Sequence, residues 1–124
     1  MSRTYEDLLA WQKAHQFVVL AYSTIATFPS YEQFGLCSQF RRAAVSIPAN
    51  IAEGYKKLGK ADKLRFFNIA QGSLEECRYY CLLAKDLGYI DDNKYNNIVN
   101  SIQDASYLLN SYIKGVVINN GIKD

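Results

Sequence analysis

The chain has 124 residues, 49% of them hydrophobic and 21% charged, with only two prolines and seven glycines. This is one domain's length with enough apolar content for a core, and it excludes disorder, collagen-like repeats and low-complexity linkers. Fourteen bases against twelve acids leave a formal charge of +2, too small by itself to imply a nucleic-acid or membrane partner.

Four segments carry helical periodicity and none sustains strand alternation. In the first, Trp11, Ala14, Val18, Ala21, Tyr22 and Ile25 recur at three- and four-residue steps. Thr4 is placed to cap its start, with Glu6 and Asp7 complementing the first-turn dipole, and Pro29 ends it. Ser30 and Gln33 have the spacing of a capping box and predict a short turn. The second stripe is Leu36, Phe40, Ala44, Ile47, Ile51 and Tyr55. Pro48 lies inside it, which predicts a kink and a lost backbone hydrogen bond at Ala44. The third is Phe66, Ala70, Ser73, Cys77, Cys81 and Ala84, flanked by Leu74 and Tyr80, with Gly88 positioned to terminate it. Asp91 or Asp92 caps the fourth, whose stripe is Tyr95, Ile98, Ile102, Ala105, Leu109, Tyr112 and Val116.

The spacing therefore predicts helices over about 5–27, 36–57, 62–87 and 92–115, inside a single domain at 1–118, with a frayed tail at 119–124. Four helices of about 20–25 residues, each roughly 30–38 Å long, joined by short loops, make an all-α, antiparallel up-down-up-down four-helix bundle.

The inventory for catalysis is thin. His15 stands alone on the first helix and reads as a packing or boundary residue. Cys77 and Cys81 lie one turn apart on an apolar face; they read as inert buried thiols, because no second Cys or His pair completes a metal site. Glu75 and Glu76 are neighbours on a helix and point about 100° apart. Gly54 and Gly59 are not followed by the Lys-Ser/Thr of a phosphate loop. No enzyme, metal or cofactor is expected. Three cysteines, Cys37 with that pair, fit reduced thiols rather than a disulfide scaffold. No signal peptide is legible. The longest uncharged run, residues 14–31, holds His15, Gln16, Ser23 and Pro29 and is a poor membrane span. A cytoplasmic location is expected.

Three surface features carry what function the residues suggest. On the second helix, Gln39, Arg42, Ser46, Asn50, Glu53 and Lys57 fall in one strip about 60° wide, opposite the apolar stripe. The strip is either an ordinary solvated face with Glu53 paired to a base, or a polar seam meeting a partner subunit or lining a channel. Charge is polarised along the chain. Seven bases (Arg41, Arg42, Lys56, Lys57, Lys60, Lys63, Arg65) lie between positions 41 and 65 against two acids, while seven bases and ten acids occupy the rest. That run is either a solvated loop or a phosphate-binding patch, with Tyr55 and Phe66 placed to stack on bases. Finally, Leu9, Leu20, Tyr79 and Leu82 point away from their helices' stripes, as does Tyr107, which suggests homo-oligomerisation.

The run Arg41-Arg42-Ala43-Ala44-Val45-Ser46-Ile47-Pro48-Ala49-Asn50-Ile51-Ala52-Glu53-Gly54 resembles the signature of the 23S rRNA intervening-sequence proteins, small bacterial bundles once called ribosomal proteins. Phe67-Asn68-Ile69-Ala70-Gln71-Gly72-Ser73-Leu74-Glu75-Glu76 resembles their second motif. Leu8, Trp11-Gln12-Lys13-Ala14 and Phe34-Gly35-Leu36 match as well, so the likeness covers roughly residues 5–115. The resemblance implies a four-helix bundle and a pentamer. A related branch, the accessory proteins of diversity-generating retroelements, pairs with reverse transcriptase and binds nucleic acid through basic surfaces. Through that branch the resemblance implies RNA, DNA or a nucleic-acid-processing protein as partner. It brings no catalytic residue, and it adds weight to the polar strip, whose Arg42, Ser46, Asn50 and Glu53 lie inside the first motif. The modest charge here sets this chain apart from the strongly basic accessory proteins. The reading that results is a non-enzymatic, oligomeric, nucleic-acid-associated accessory protein; the alternative is a protein-interaction scaffold with no nucleic-acid role.

Overall fold

The structure, a computed structural model, describes residues 4–118 in full and the backbone of the last helix onward to Lys123. The tail predicted at 119–124 lies outside the fully described residues. Helix α1 spans Leu9–Ile25, α2 Leu36–Lys56, α3 Lys60–Asp86 and α4 Asp92–Lys123. Short connections make each helix antiparallel to the one before it. Among the described residues, backbone contacts join α1–α2, α2–α3, α3–α4 and α1–α4 but neither diagonal pair, which is the up-down-up-down bundle the periodicity predicts.

The first helix starts later than its periodicity suggests. Thr4 does cap, but it caps a separate 3-10 turn at Tyr5–Asp7, through a reciprocal box with Asp7. Leu8 is extended, with φ −77° and ψ 128°, so α1 begins afresh at Leu9. Tyr5 packs edge-on against Trp11, ring centroids 5.0 Å apart, and holds the turn to the helix. The α1 stripe is also rotated. Ala10, Ala14, Phe17, Ala21, Thr24 and Ile25 are buried, whereas Trp11 and Val18 are half-buried and Tyr22 is 45% exposed.

Helix α2 buries Leu36, Phe40, Ala44, Ile47 and Ile51 as expected, with Cys37, Ala43, Pro48 and Gly54 beside them. Pro48 sits inside an unbroken helix and deprives the Ala44 carbonyl of its helical donor. In α3 the buried ring at the start of the stripe is Phe67, and Phe66 is half-buried. Gly88, at φ +79°, ends α3. Its N–H donates to the Lys85 carbonyl and the Tyr89 N–H to the Ala84 carbonyl, the paired bonds of a Schellman cap. The α4 stripe of Ile98, Ile102, Ala105 and Leu109 is fully buried, and Gly115 lies within the helix rather than ending it.

Two features set the spacing of the bundle. At one pole, the Tyr89 hydroxyl donates to Glu32 Oε2 at 2.7 Å, while Glu32 Oε1 accepts from the Leu36 N–H at 3.1 Å. This clasps the α1–α2 and α3–α4 connections together. The turn carrying it is the predicted one at Ser30–Glu32, though its cap residue is Pro29 and the Ser30–Gln33 box does not form. Along the length of the bundle, α2 and α3 share the broadest contact. Small residues explain it. A Cβ on Gly54 would meet the Phe67 ring at 2.5 Å, so only glycine lets the backbone rest on that ring.

Candidate functional site

The middle of the α2 polar strip leans against α3, while Gln39, Arg42 and Glu53 remain exposed. Ser46 and Asn50 are half-buried, and Ser73 of α3 is 6% exposed. Ser73 Oγ lies 2.9 Å from Ser46 Oγ, and Asn50 Nδ2 donates to the same oxygen at 2.9 Å and to the Ser46 carbonyl at 2.8 Å. Two turns along the seam, the Tyr80 hydroxyl stands 3.3 Å from both Gln39 Oε1 and Glu76 Oε2. Burial, and then the Glu76 carboxylate, push the Tyr80 phenol above its ordinary value. Together with Arg42, Ala43 and Ile69 these groups, Asn50 excepted, line an open groove of about 520 Å³. Glu53 and Lys57 stand beyond it and pair with each other at 3.7 Å. The strip is thus two things: a groove floored by hydroxyls between helices, and an ordinary i,i+4 ion pair. The α3 half of the groove was hidden because Ser73 sits within an apolar stripe; a serine there is the one signal that could have marked it.

The basic run also divides. Lys56, Lys57, Lys60, Lys63 and Arg65 gather at the elbow where α2 ends and α3 begins. Arg41 and Arg42 stand some fifteen residues up α2, roughly 22 Å away along its axis. Several elbow cations have local duties. Lys63 Nζ donates to the Tyr55 carbonyl at 2.8 Å and lies within 3.4 Å of the Gly54 carbonyl, satisfying the C-terminal end of α2. Lys60 reaches the Val117 carbonyl of α4 at 3.4 Å, and Arg65 pairs with Asp62 at 3.5 Å. Lys57 and Arg65 both lie over the Phe66 ring, 5.1 and 4.5 Å from its centroid, and Lys63 lies 5.7 Å from that of Tyr55. Among the described residues Arg41, Arg42 and Lys56 make no ion pair or side-chain hydrogen bond.

Of the four residues expected to point outward, Leu9 is 61%, Tyr79 57% and Leu82 41% exposed. Leu20 corrects the prediction: it is half-buried and packs on the core. The reason is the rotated stripe of α1, whose centre at Phe17 and Thr24 brings Leu20 alongside it. Tyr107 is 71% exposed.

His15 is exposed and stacked on Trp11 at 5.1 Å, a boundary residue as read. Among the described residues no three of His, Cys, Asp and Glu come close enough to share a metal ion, and no helix is long and apolar enough to cross a membrane. Cys77 and Cys81 are fully buried. Burial first, then the neighbouring Cys81 and Glu76, push the Cys77 thiol far up; burial pushes Cys81 up to about 12 against a partial offset from Arg78. These thiols should resist aromatic disulfide reagents at neutral pH in the folded protein and react within seconds once denaturant is added. The linkage has a definite sign. A proton held more tightly by the folded state than by the unfolded one stabilises the fold fully below the unfolded value near 9. That contribution is lost as pH climbs toward the folded value, so urea midpoints should be flat from pH 7 to about 9 and then fall. A midpoint unchanged to pH 11 would contradict the burial of this pair.

The sequence profile of the 23S rRNA-intervening sequence proteins matches residues 6–111. The chain belongs to the 23S rRNA-intervening sequence protein family. It is also similar to a solved structure from Bacteroides thetaiotaomicron, described as a protein of unknown function from the S23 ribosomal protein family. The two are 28% identical with a TM-score of 0.79, over 86% of this chain and 99% of that one. No curated protein matches. Within this intervening-sequence protein both family-like motifs meet at one place: the first supplies Arg42, Ala43 and Ser46 to the groove, the second supplies Ile69, Ser73 and Glu76. These two stretches therefore border the α2–α3 seam.

Proposed function

We propose that this protein is a non-enzymatic bundle that assembles with copies of itself, in a ring of five as the family resemblance implies, and serves a nucleic-acid complex as an accessory subunit. The observation that carries the nucleic-acid part is the convergence of five bases at the α2–α3 elbow, with Glu53 and Asp62 as their counter-charges. A cluster of this kind adds phosphate contacts whose counterion release makes affinity fall with salt. The intervening-sequence family name agrees with an RNA setting.

The test is a titration of labelled structured RNA and single-stranded DNA with the purified protein at about 50 and 200 mM salt. Four to five phosphate contacts predict a loss of roughly a hundredfold or more between the two. Reversing Lys56, Lys57 and Lys60 to glutamate should abolish the low-salt binding with the helical content kept. Absence of binding at both salts would remove the nucleic acid and leave the scaffold reading. One observation favours that second reading: Tyr79, Leu82 and Tyr107 are exposed on the outer faces of α3 and α4, away from the elbow. Pull-down of a protein partner without salt-sensitive nucleic-acid binding would support it.

A further inference from the structure

The aromatic rings of the basic run are not available to bases. Phe66 is half-buried and carries both Lys57 and Arg65 over its ring, at 5.1 and 4.5 Å from the centroid. Tyr55 is half-buried with Lys63 over it at 5.7 Å. Proteins that hold single strands without sequence preference combine a cationic track with open rings, and each stacked base contributes about 1–3 kcal/mol. Here the cations occupy the rings, so that contribution is missing and the charge alone is left.

The outer face of α2 extends the elbow's charge from Lys56 to Arg42 at a fixed spacing. Arg42 and Lys56, both exposed, are fourteen residues apart, which brings them within about 40° of the same azimuth and separates them by roughly 21 Å along the axis. Val45 and Ala49 lie exposed between them and no acidic side chain other than Glu53, already paired with Lys57, interrupts the face. Cations spaced on a rigid rod favour a ligand whose phosphates are also fixed. A duplex is stiff over about 150 base pairs and carries about one charge per 1.7 Å, twice the density of one strand. A single strand would have to be ordered along the same line with no stacking to offset the cost.

We infer that the outer face of α2 together with the α2–α3 elbow binds the phosphate backbone of a double-stranded nucleic acid, by charge and spacing rather than by base stacking. This rests on the nucleic-acid reading above and specifies its ligand. The experiment is fluorescence anisotropy with labelled DNA and RNA duplexes of about 20 base pairs and each single strand alone, at about 50 and 200 mM salt. One or both duplexes should bind at least tenfold tighter than the strands. Arg42→Gln and Lys56→Gln should each reduce the slope of log affinity against log salt by about 0.9 on the DNA duplex. Phe66→Leu should leave duplex affinity within about threefold; its melting curve shows whether the variant is folded, and the two exposed glutamine variants carry the test if it is not. Single strands binding as well as or better than duplexes, a tenfold loss with folded Phe66→Leu, or salt slopes unmoved by both glutamine variants would each overturn the duplex inference and leave nucleic-acid association standing. Binding to none of the four probes would overturn both.

Discussion

Gly54→Ala should destabilise the bundle by about 1–2 kcal/mol, whereas Gly72→Ala should stabilise it by about 0.5–1 kcal/mol. The same substitution acquires opposite signs because two effects compete. In a helix interior alanine is preferred to glycine by roughly 1 kcal/mol, and that gain applies to both sites. At Gly72 nothing stands within 4 Å of the new Cβ, so the gain is all there is. At Gly54 the Cβ would meet Phe67 atoms at 2.5, 2.9 and 3.1 Å. That ring is fully buried and packs edge-on against Tyr112 at 5.5 Å, so it has no open space to turn into. Overpacking costs about 1–3 kcal/mol in general; a contact this short against a buried ring belongs in the upper part of that range, about 2–3 kcal/mol, which exceeds the propensity gain. Gly54→Val adds two methyl groups to the same clash and should cost about 3 kcal/mol. Urea denaturation of the three variants reads the result. A double variant, Gly54→Ala with Phe67→Leu, should lose less than the sum of its parts, since the two residues share one volume. If Gly54→Ala proved as stable as the parent chain, the close approach of α2 to α3 would not depend on that glycine.

The second large effect concerns assembly. Tyr79→Glu and Leu82→Glu should each leave the fold within about 0.5 kcal/mol and yet reduce the assembled mass, in combination to that of a single chain. Both side chains lie on the outer surface of α3, three residues apart and hence neighbours on one face. A carboxylate placed there costs little in an isolated bundle, because the end of either side chain can reach water. Buried between two copies, the same carboxylate would be desolvated with no partner. Leu20→Glu supplies the contrast: it should lower stability outright, since Leu20 packs on the core. Light scattering coupled to size exclusion, alongside thermal melts, separates the outcomes. A mass unchanged by the paired α3 variants would place any subunit contact elsewhere.

The elements differ in how far they could be read from the residues. Helix α4 was legible in full phase, because Ile98, Ile102, Ala105 and Leu109 stand against polar residues on nearly every other side. The α2 stripe was equally clear. Helix α1 was not, since Trp11, Phe17, Val18, Val19 and Leu20 distribute apolar surface around most of its circumference. Because Val19 interrupts the polar face of Gln12, Gln16 and Ser23, periodicity does not choose a clear centre, and contacts with α2 and α4 choose it instead. The pair Phe66 and Phe67 poses the same problem on a smaller scale. Two adjacent rings point about 100° apart, and the room opened by Gly54 selects Phe67 for the core.

The candidate site divides along the same line. Residue spacing alone determined the bundle, its chain order, the polar strip on α2 and the concentration of bases between positions 41 and 65, because each is a property of one helix or one loop. Only the tertiary structure decided which of those groups remain available. The Ser46–Ser73 contact, the Tyr80 phenol between Gln39 and Glu76, and the cations held over Phe66 and Tyr55 all need α3 laid against α2. A sequence records what one helix presents; a neighbouring helix decides which of those side chains find a partner, because the partners come from a segment distant in the chain.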